Sequence, residues 1–124
     1  MPRKESILKK KTEAFAVRII KLHRYLQNRH ETVMSNQIYR SGTSIGANVA
    51  ESINAQSSAD FIHKLSIALK EANETEFWLK SIYSGEYIDQ TGYESMLNDN
   101  EEIIKILVSS IKTMKQRTYE YGQE

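Results

Sequence analysis

Apolar residues recur at helical spacing along almost the whole chain, and no alternating strand pattern competes with them. In the first segment they step by seven, four, three and four positions, which places them on one stripe of a helix over about residues 6–29. The stripe consists of Leu8, Phe15, Ile19, Leu22 and Leu26. This pattern predicts an amphipathic helix that buries one side.

A second stripe predicts a helix over about residues 36–56, with Ser35 or Asn36 as its N-cap. Its positions are Ile38, Gly42, Ile45, Val49 and Ile53. The segment is rich in small residues, and Gly42 and Gly46 lie four positions apart. Because glycine costs roughly 1 kcal/mol in a helix interior, this spacing predicts the close approach of another backbone.

A third stripe predicts a helix over about residues 59–84. Ser57 and Asp60 resemble a capping pair at its start, and Gly85 is placed to end it. Its apolar positions are Phe61, Leu65, Ala68, Ala72, Leu79 and Tyr83.

The sequence Thr91-Gly92-Tyr93-Glu94 matches a capping box, which predicts a fourth helix over about residues 92–117. Its stripe consists of Met96, Ile103, Ile104, Leu107, Ile111 and Met114. Four helices joined by short loops predict an all-α fold, an antiparallel up-and-down four-helix bundle. A chain of 124 residues has the size of one domain, so we expect residues 1–124 to form a single unit.

Composition narrows the class of protein. Cysteine is absent, which excludes disulfides and thiolate metal sites and suits a reducing compartment. No run of about 18 apolar residues occurs, so we expect no membrane span and no membrane partner. The charged first residues lead into no apolar signal core. We therefore expect a cytoplasmic protein.

The net charge of +1 conceals a strong asymmetry along the chain. Residues 1–30 carry nine Lys or Arg against two Glu, a net of +7, whereas residues 31–124 carry eight basic and fourteen acidic residues, a net of −6. A second basic cluster, Lys105, Lys112, Lys115 and Arg117, lies near the C-terminus. This uneven distribution of charge is a better guide to binding partners than the net charge of the whole chain.

Most of the N-terminal charge falls on a broad sector of the first helix, away from its apolar stripe. This basic face consists of Lys10, Lys21 and Arg24, with Lys11, Arg18 and Arg29 at its edge. It is a candidate surface for the backbone of RNA or DNA, and the alternative is an ordinary solvated helix face. The sequence contains no aromatic stacking platform and no base-edge readout motif, so any such binding should be directed at phosphates and sensitive to salt.

Two predicted helices carry more apolar residues than one core requires. The surplus residues, which lie away from the main stripes, are Val17, Ile20, Ile67, Phe77 and Trp78. A helix that is apolar on two sides is usually buried on two sides, so these positions are the candidate interface of a homo-oligomer.

Polar residues form a line along the second helix at i, i+4, i+8 and i+11. This polar line consists of Arg40, Ser44, Asn48 and Glu51. Glu76 falls close to the apolar stripe of the third helix, and a half-buried carboxylate needs a partner. We expect Arg40 to pair with Glu76 between the helices and to fix their register. Glu71 and Glu74 could act as an acid–base pair, but a solvated or interfacial face is the favoured interpretation.

The sequence contains no pattern of catalytic, nucleotide-binding or metal-binding residues as specific as the features above. The glycine-rich stretch 41–47 lacks the spacing and the preceding strand of a phosphate-binding loop, so close helix packing explains it better. The three histidines, His23, His30 and His63, never pair at i+3 or i+4, and Asp60 with His63 is a single Asp-x-x-His at a helix start. We therefore expect no cofactor, no metal and no enzymatic activity.

Two stretches resemble a known family. Residues 37–51 match the pattern Q-x-x-R-S-x-x-S-I-x-x-N-x-x-E, and residues 61–79 match F-x-x-x-L-x-I-A-x-x-E-x-x-E-x-x-x-W-L. Both patterns are similar to those of the bacterial four helix bundle proteins, which include proteins encoded in intervening sequences of large-subunit ribosomal RNA genes. The resemblance covers about residues 13–115. Ser52 stands where the family commonly has glycine, a small departure.

The resemblance implies an up-and-down bundle that assembles as a homopentamer. It also implies kinship with the accessory variability protein of diversity-generating retroelements, a pentameric barrel that binds nucleic acid and a reverse transcriptase through a basic surface. The leading hypothesis is thus a homo-oligomeric scaffold, a pentamer by resemblance, whose basic face contacts RNA or DNA and presents it to a second protein such as a reverse transcriptase. The alternative is a purely protein-binding oligomeric adaptor.

Overall fold

The computed structural model describes residues 4–122, and this part of the chain is helical with no strand. Four helices account for it, and short loops join them. They are α1 Lys4–Asn28, α2 Val33–Ile53, α3 Ser58–Ser84 and α4 Gln90–Gly122. Each helix lies within a few residues of its predicted position, and the all-α prediction is confirmed.

Each helix packs against its neighbour in sequence, and α1 also packs against α4, which closes a ring of four. Lys4 of α1 bonds to Ser109 of α4, while Lys11, two turns later in α1, bonds to Glu102, two turns earlier in α4. The two helices therefore run antiparallel. With short loops at every turn, this is the predicted up-and-down four-helix bundle.

The four apolar stripes meet in one core. Its fully buried members include Leu8, Phe15, Ile19, Leu26, Ile38, Ile45, Val49, Leu65, Leu79, Ile103 and Leu107. The sequence pattern predicts that Ile53 belongs to the apolar stripe of α2, but it is the last residue of that helix and its side chain is 48% exposed. Ile82 is fully buried although the predicted stripe of α3 omitted it. Phe61 and Tyr83 lie at the margin of the core, half-buried.

The glycines of α2 lie against α1, as their spacing predicted. A Cβ atom at Gly42 would lie 2.6–2.9 Å from three side-chain atoms of Ile19, too close for any real contact. At Gly46 the nearest atom would be the carbonyl oxygen of Thr12, 3.4 Å away. Only Gly42 is therefore required by the packing.

Two predicted helix starts are wrong in detail. Helix α2 begins before Ser35, and the Glu31 carboxylate accepts hydrogen bonds from the backbone N–H groups of Met34 and Ser35, at 3.1 and 2.8 Å. Helix α4 begins before Thr91, and Asp89 accepts from the N–H of Gly92 at 2.7 Å. In both cases an acidic side chain satisfies the free N–H groups of the first turn, as the helix dipole favours.

The start of α3 is as predicted, because the Ser57 hydroxyl accepts from the N–H of Asp60 at 3.1 Å. Its end differs. Gly85 has an ordinary φ of −80°, and the left-handed residue is Glu86, at φ 67°. Helix α1 ends in the same way, with His30 at φ 64°. These ends use the paired backbone bonds of a Schellman motif without the usual glycine.

Candidate functional site

Three members of the basic face lie exposed on the outer side of α1. They are Lys10, Lys21 and Arg24, and none forms a hydrogen bond or ion pair with another side chain that the structure describes. Their spacing of eleven and three residues returns them to one sector of the helix. This sector is the part of the predicted face that is available to an anionic ligand.

The other three members are engaged within the molecule. Lys11 lies 2.8 Å from Glu102 of α4, and this hydrogen bond raises the pKa of Lys11 and lowers that of Glu102. Arg18 donates to Asp99 at 2.6 Å and also to Ser95. These ion pairs tie α1 to α4, so the free basic surface is smaller than the sequence predicted.

Arg29, the last of the six, lies among tyrosines at the end of the bundle. Its Nη1 donates to the backbone oxygen of Tyr87 at 2.5 Å, and its Cζ lies 5.7 Å from the ring of Tyr25 and 5.2 Å from that of Tyr87. This aromatic cluster is not among the features predicted from the sequence. The spacing of Tyr25 and Arg29 on α1 was a visible signal, but Tyr87 lies in a loop whose position only the fold reveals.

The polar line of α2 lies beside α3, and its first member, Arg40, donates hydrogen bonds to two carboxylates of that helix. Arg40 spreads its guanidinium across two carboxylates: Nη1 donates to Glu71 at 3.0 Å, and Nη2 donates to Glu74. Trp78 Nε1 also donates to Glu74, at 3.1 Å. We call Arg40, Glu71, Glu74 and Trp78 the arginine clamp.

The predicted pairing of Arg40 with Glu76 is wrong. Glu76 is half-buried, but it lies two residues beyond Glu74, which is about 200° around the helix, so the two side chains point away from each other. The carboxylates on the α2 side of α3 are Glu71 and Glu74, both present in the family pattern.

The rest of the polar line serves α2 itself and its junction with α3. Ser44 Oγ donates to the carbonyl of Arg40 at 2.6 Å, and Asn48 donates to the carbonyl of Ser44 at 2.8 Å. Glu51 pairs with Lys64 of α3 at 3.0 Å, and this bond raises the pKa of Lys64. The line therefore satisfies backbone and side-chain groups and leaves no open reactive centre.

The charge state of the arginine clamp argues against acid–base chemistry. Burial alone raises the pKa of Glu74, but hydrogen bonds from Trp78 and Arg40 outweigh it, and the pKa lies below its ordinary value. The same hydrogen bond to Glu74 raises the pKa of Arg40. A carboxylate held ionised in this way is poorly matched to proton transfer near neutral pH.

The five surplus apolar residues divide into two groups. Val17 and Phe77 are 50% and 59% exposed, whereas Ile20, Ile67 and Trp78 are half-buried. Trp78 packs against the core and places its ring edge-on to Phe77, 4.9 Å between centroids. Val17 and Phe77 are therefore the large apolar surfaces of this set that the monomer leaves to solvent.

Ile20 shares α1 with the basic residues but lies on a different flank. Ile20 is three residues before His23, which bonds to Ser35 of α2. Lys21 is three residues after Arg18, which bonds to α4. Ile20 thus leans towards α2 and Lys21 leans towards α4, whereas Val17 lies seven residues from both Lys10 and Arg24 and shares their sector of α1.

No group of three or more metal-ligating side chains occurs within residues 4–122. In the same part of the chain, no helix is long and apolar enough to cross a membrane.

Comparison with known proteins places the chain in a family without an assigned activity. The family model described as 23S rRNA-intervening sequence protein matches residues 4–109. A solved structure, a protein of unknown function from the S23 ribosomal protein family of Bacteroides thetaiotaomicron, is 56% identical, with a TM-score of 0.86 over 89% of this chain and 99% of the other. No curated protein is significantly similar. None of these matches indicates an enzyme family. The chain belongs to the 23S rRNA-intervening sequence protein family.

Proposed function

We propose that this protein is a non-enzymatic, cytoplasmic, homo-oligomeric scaffold whose α1 surface binds the phosphate backbone of RNA or DNA. The observation that carries the proposal is the exposed group Lys10, Lys21 and Arg24, which has no acidic partner among the described side chains. Lys11 and Arg18 are neutralised by α4, so this sector is the part of the basic face where positive charge is left over. Phosphates release condensed counterions when such a surface binds them.

The shape of the bundle supports assembly as a ring. Helices α1 and α3 are diagonal in the ring of four, so the apolar patches around Val17 and Phe77 lie on opposite sides of the molecule. A contact between two different patches is head-to-tail, and such contacts form closed rings when the rotation between copies allows. A pentamer is the ring we propose, and it would repeat fivefold the part of the α1 surface that the contact leaves exposed.

The alternative function is a protein-binding oligomeric adaptor. The exposed Phe77 beside Trp78 favours it, because aromatic residues of this kind commonly anchor protein partners. In that case the basic residues are only solvated. A second protein such as a reverse transcriptase could bind either the adaptor or the scaffold that carries nucleic acid. The observation that distinguishes the two functions is therefore whether the protein binds nucleic acid at all.

A salt series with matched charge variants tests the proposal. We expect fluorescence anisotropy to show RNA and DNA binding that weakens steeply between about 50 and 200 mM salt. The triple variant Lys10→Gln, Lys21→Gln, Arg24→Gln should bind far more weakly. It should also lower the slope of log affinity against log salt by about 2 for a single strand.

The control removes the same number of charges from α4, through Lys105→Gln, Lys112→Gln and Lys115→Gln, all exposed positions. It should bind nearly as well as the unmodified protein. Undetectable binding of the unmodified protein at low salt would refute the nucleic-acid role and leave the adaptor. If the α4 variant lost binding and the α1 variant kept it, the surface would be wrongly assigned.

A further inference from the structure

A cleft opens at the end of the bundle where α1 ends and the loop between α3 and α4 begins. Its volume is about 620 Å³, within the range of small-molecule sites. Its lining is aromatic and polar, and it includes Tyr25, Arg29, Tyr83, Glu86, Tyr87 and Asp89. These residues come from two separate stretches of the sequence, 25–29 and 83–89.

Arg29 organises the aromatic side of the cleft. Its guanidinium lies over the rings of Tyr25 and Tyr87, and its hydrogen bond to the Tyr87 carbonyl ties the loop to α1. Tyr83 is stacked on Tyr93 with parallel rings 4.4 Å apart, which fixes the far wall. The cleft is thus built by packed side chains, and the rings of Tyr25, Tyr83 and Tyr87 contribute to its lining.

Tyr25 links this cleft to the free basic surface of α1. Its side chain is 47% exposed. Lys21 precedes it by four residues and Arg29 follows by four, so the three lie along one face of the helix as cation, aromatic ring and cation. A positive track with an exposed aromatic ring is the arrangement by which proteins hold single-stranded nucleic acid.

The acidic residues of the cleft decide which part of a nucleotide enters it. Glu86 is exposed, and Asp89 already accepts the N–H of Gly92. Carboxylates repel a phosphate, but they accept hydrogen bonds from the amino groups of a base. The flat, neutral base therefore suits the cleft, and the phosphates suit Lys21 and Arg24 outside it.

We propose that this cleft takes an unpaired base of single-stranded RNA or DNA, stacked on Tyr25, with the adjoining phosphates bound by Lys21 and Arg24. The inference rests on the proposed nucleic-acid function and deepens it by naming the form of the ligand. A base in a regular duplex is stacked between its neighbours and cannot enter, so the protein should prefer a single strand to the same strand annealed to its complement.

The test measures anisotropy with a short labelled single-stranded RNA and with the same strand in duplex form. The unmodified protein should bind the single strand more tightly. Tyr25→Ala should weaken single-strand binding on the order of tenfold and leave duplex binding unchanged, because it removes the stacking ring and no charge. Tyr25→Trp should restore the preference. The control, Tyr119→Ala, removes another exposed tyrosine near the far end of α4 and should have no effect.

The outcomes separate this inference from the function on which it rests. If the unmodified protein bound both forms equally and Tyr25→Ala changed neither, the stacking site would be refuted and the backbone-binding function would stand. If neither form bound at low salt, both would be refuted. Circular dichroism of Tyr25→Ala, compared with Tyr25→Trp, shows whether any loss of binding reflects loss of fold.

Discussion

At the scale of single residues, the contact of α2 with α1 depends on one missing side chain. Gly42 faces Ile19, whose β-branched side chain is fully buried and has little freedom to move aside. Gly46, one turn later, faces the backbone of Thr12 at an ordinary distance. The two glycines look equivalent in the sequence, but only the first is required by its neighbour.

Alanine substitutions should separate them. We expect Gly42→Ala to lower the free energy of unfolding by about 1–2 kcal/mol, since overpacking outweighs the gain in helix propensity. Gly46→Ala should raise it by about 0.5–1 kcal/mol, because only the propensity changes. Urea unfolding followed by circular dichroism measures both. Equal effects of the two substitutions would contradict the close approach at Gly42.

At the scale of helices, the arginine clamp is the main polar connection between α2 and α3. The Glu71 side chain is largely buried, at 13% exposure, while Arg40 is half exposed. Thr75 adds a buried bond to Ser41 between the same helices, at 3.0 Å. The clamp therefore aligns the two helices beside the Phe77 patch that we assign to assembly.

Arg40→Met should lower the free energy of unfolding by about 1–2 kcal/mol at neutral pH, because it leaves Glu71 and Glu74 without their cation. The lowered pKa of Glu74 means that its contribution is present above the ordinary carboxyl pKa and is lost as the pH falls through the lowered value. The difference between variant and unmodified protein should therefore shrink below about pH 4.

Lys64→Met is the control for this comparison, since it breaks the exposed pair with Glu51 between the same two helices. It should cost much less than Arg40→Met, because exposed ion pairs contribute little to stability. A full effect of Arg40→Met that persisted in acid would indicate lost packing of the arginine stem instead of lost charge pairing.

At the scale of the whole molecule, two kinds of surface remain after the bundle has formed. One is the apolar pair of patches around Val17 and Phe77, on diagonal helices. The other is the free basic sector of α1, which continues into the tyrosine cleft at the end of the bundle. Because Val17 shares the sector of Lys10 and Arg24, assembly through these patches would leave Lys21 and the tyrosine cleft repeated around a ring.

Phe77→Asp should convert the oligomer into monomers with unchanged helix content, because this exposed side chain contributes little to the core. Sedimentation velocity measures the change. Val108→Asp, at a similarly exposed position on α4, should leave the assembly intact. A single monomeric species for the unmodified protein would contradict the ring and the proposed scaffold with it.

The sequence by itself determined the helices, the antiparallel bundle and most of the core. Apolar spacing of three and four residues depends only on the geometry of one helix, so Phe15, Ile45 and Leu107 could be assigned to the interior without knowledge of their neighbours. The family patterns likewise include Arg40, Glu71 and Glu74, but they do not show that these three side chains are hydrogen-bond partners.

The tertiary structure alone decided which side chains meet. It paired Arg40 with Glu71 and Glu74 instead of Glu76. It neutralised Lys11 and Arg18 by ion pairs with α4. It also placed the rings of Tyr25 and Tyr87 beside Arg29. The physical reason is that these contacts depend on the rotation of each helix about its axis and on the path of the loops. Both are set by how four helices fill a common core, and no spacing along a single helix records them.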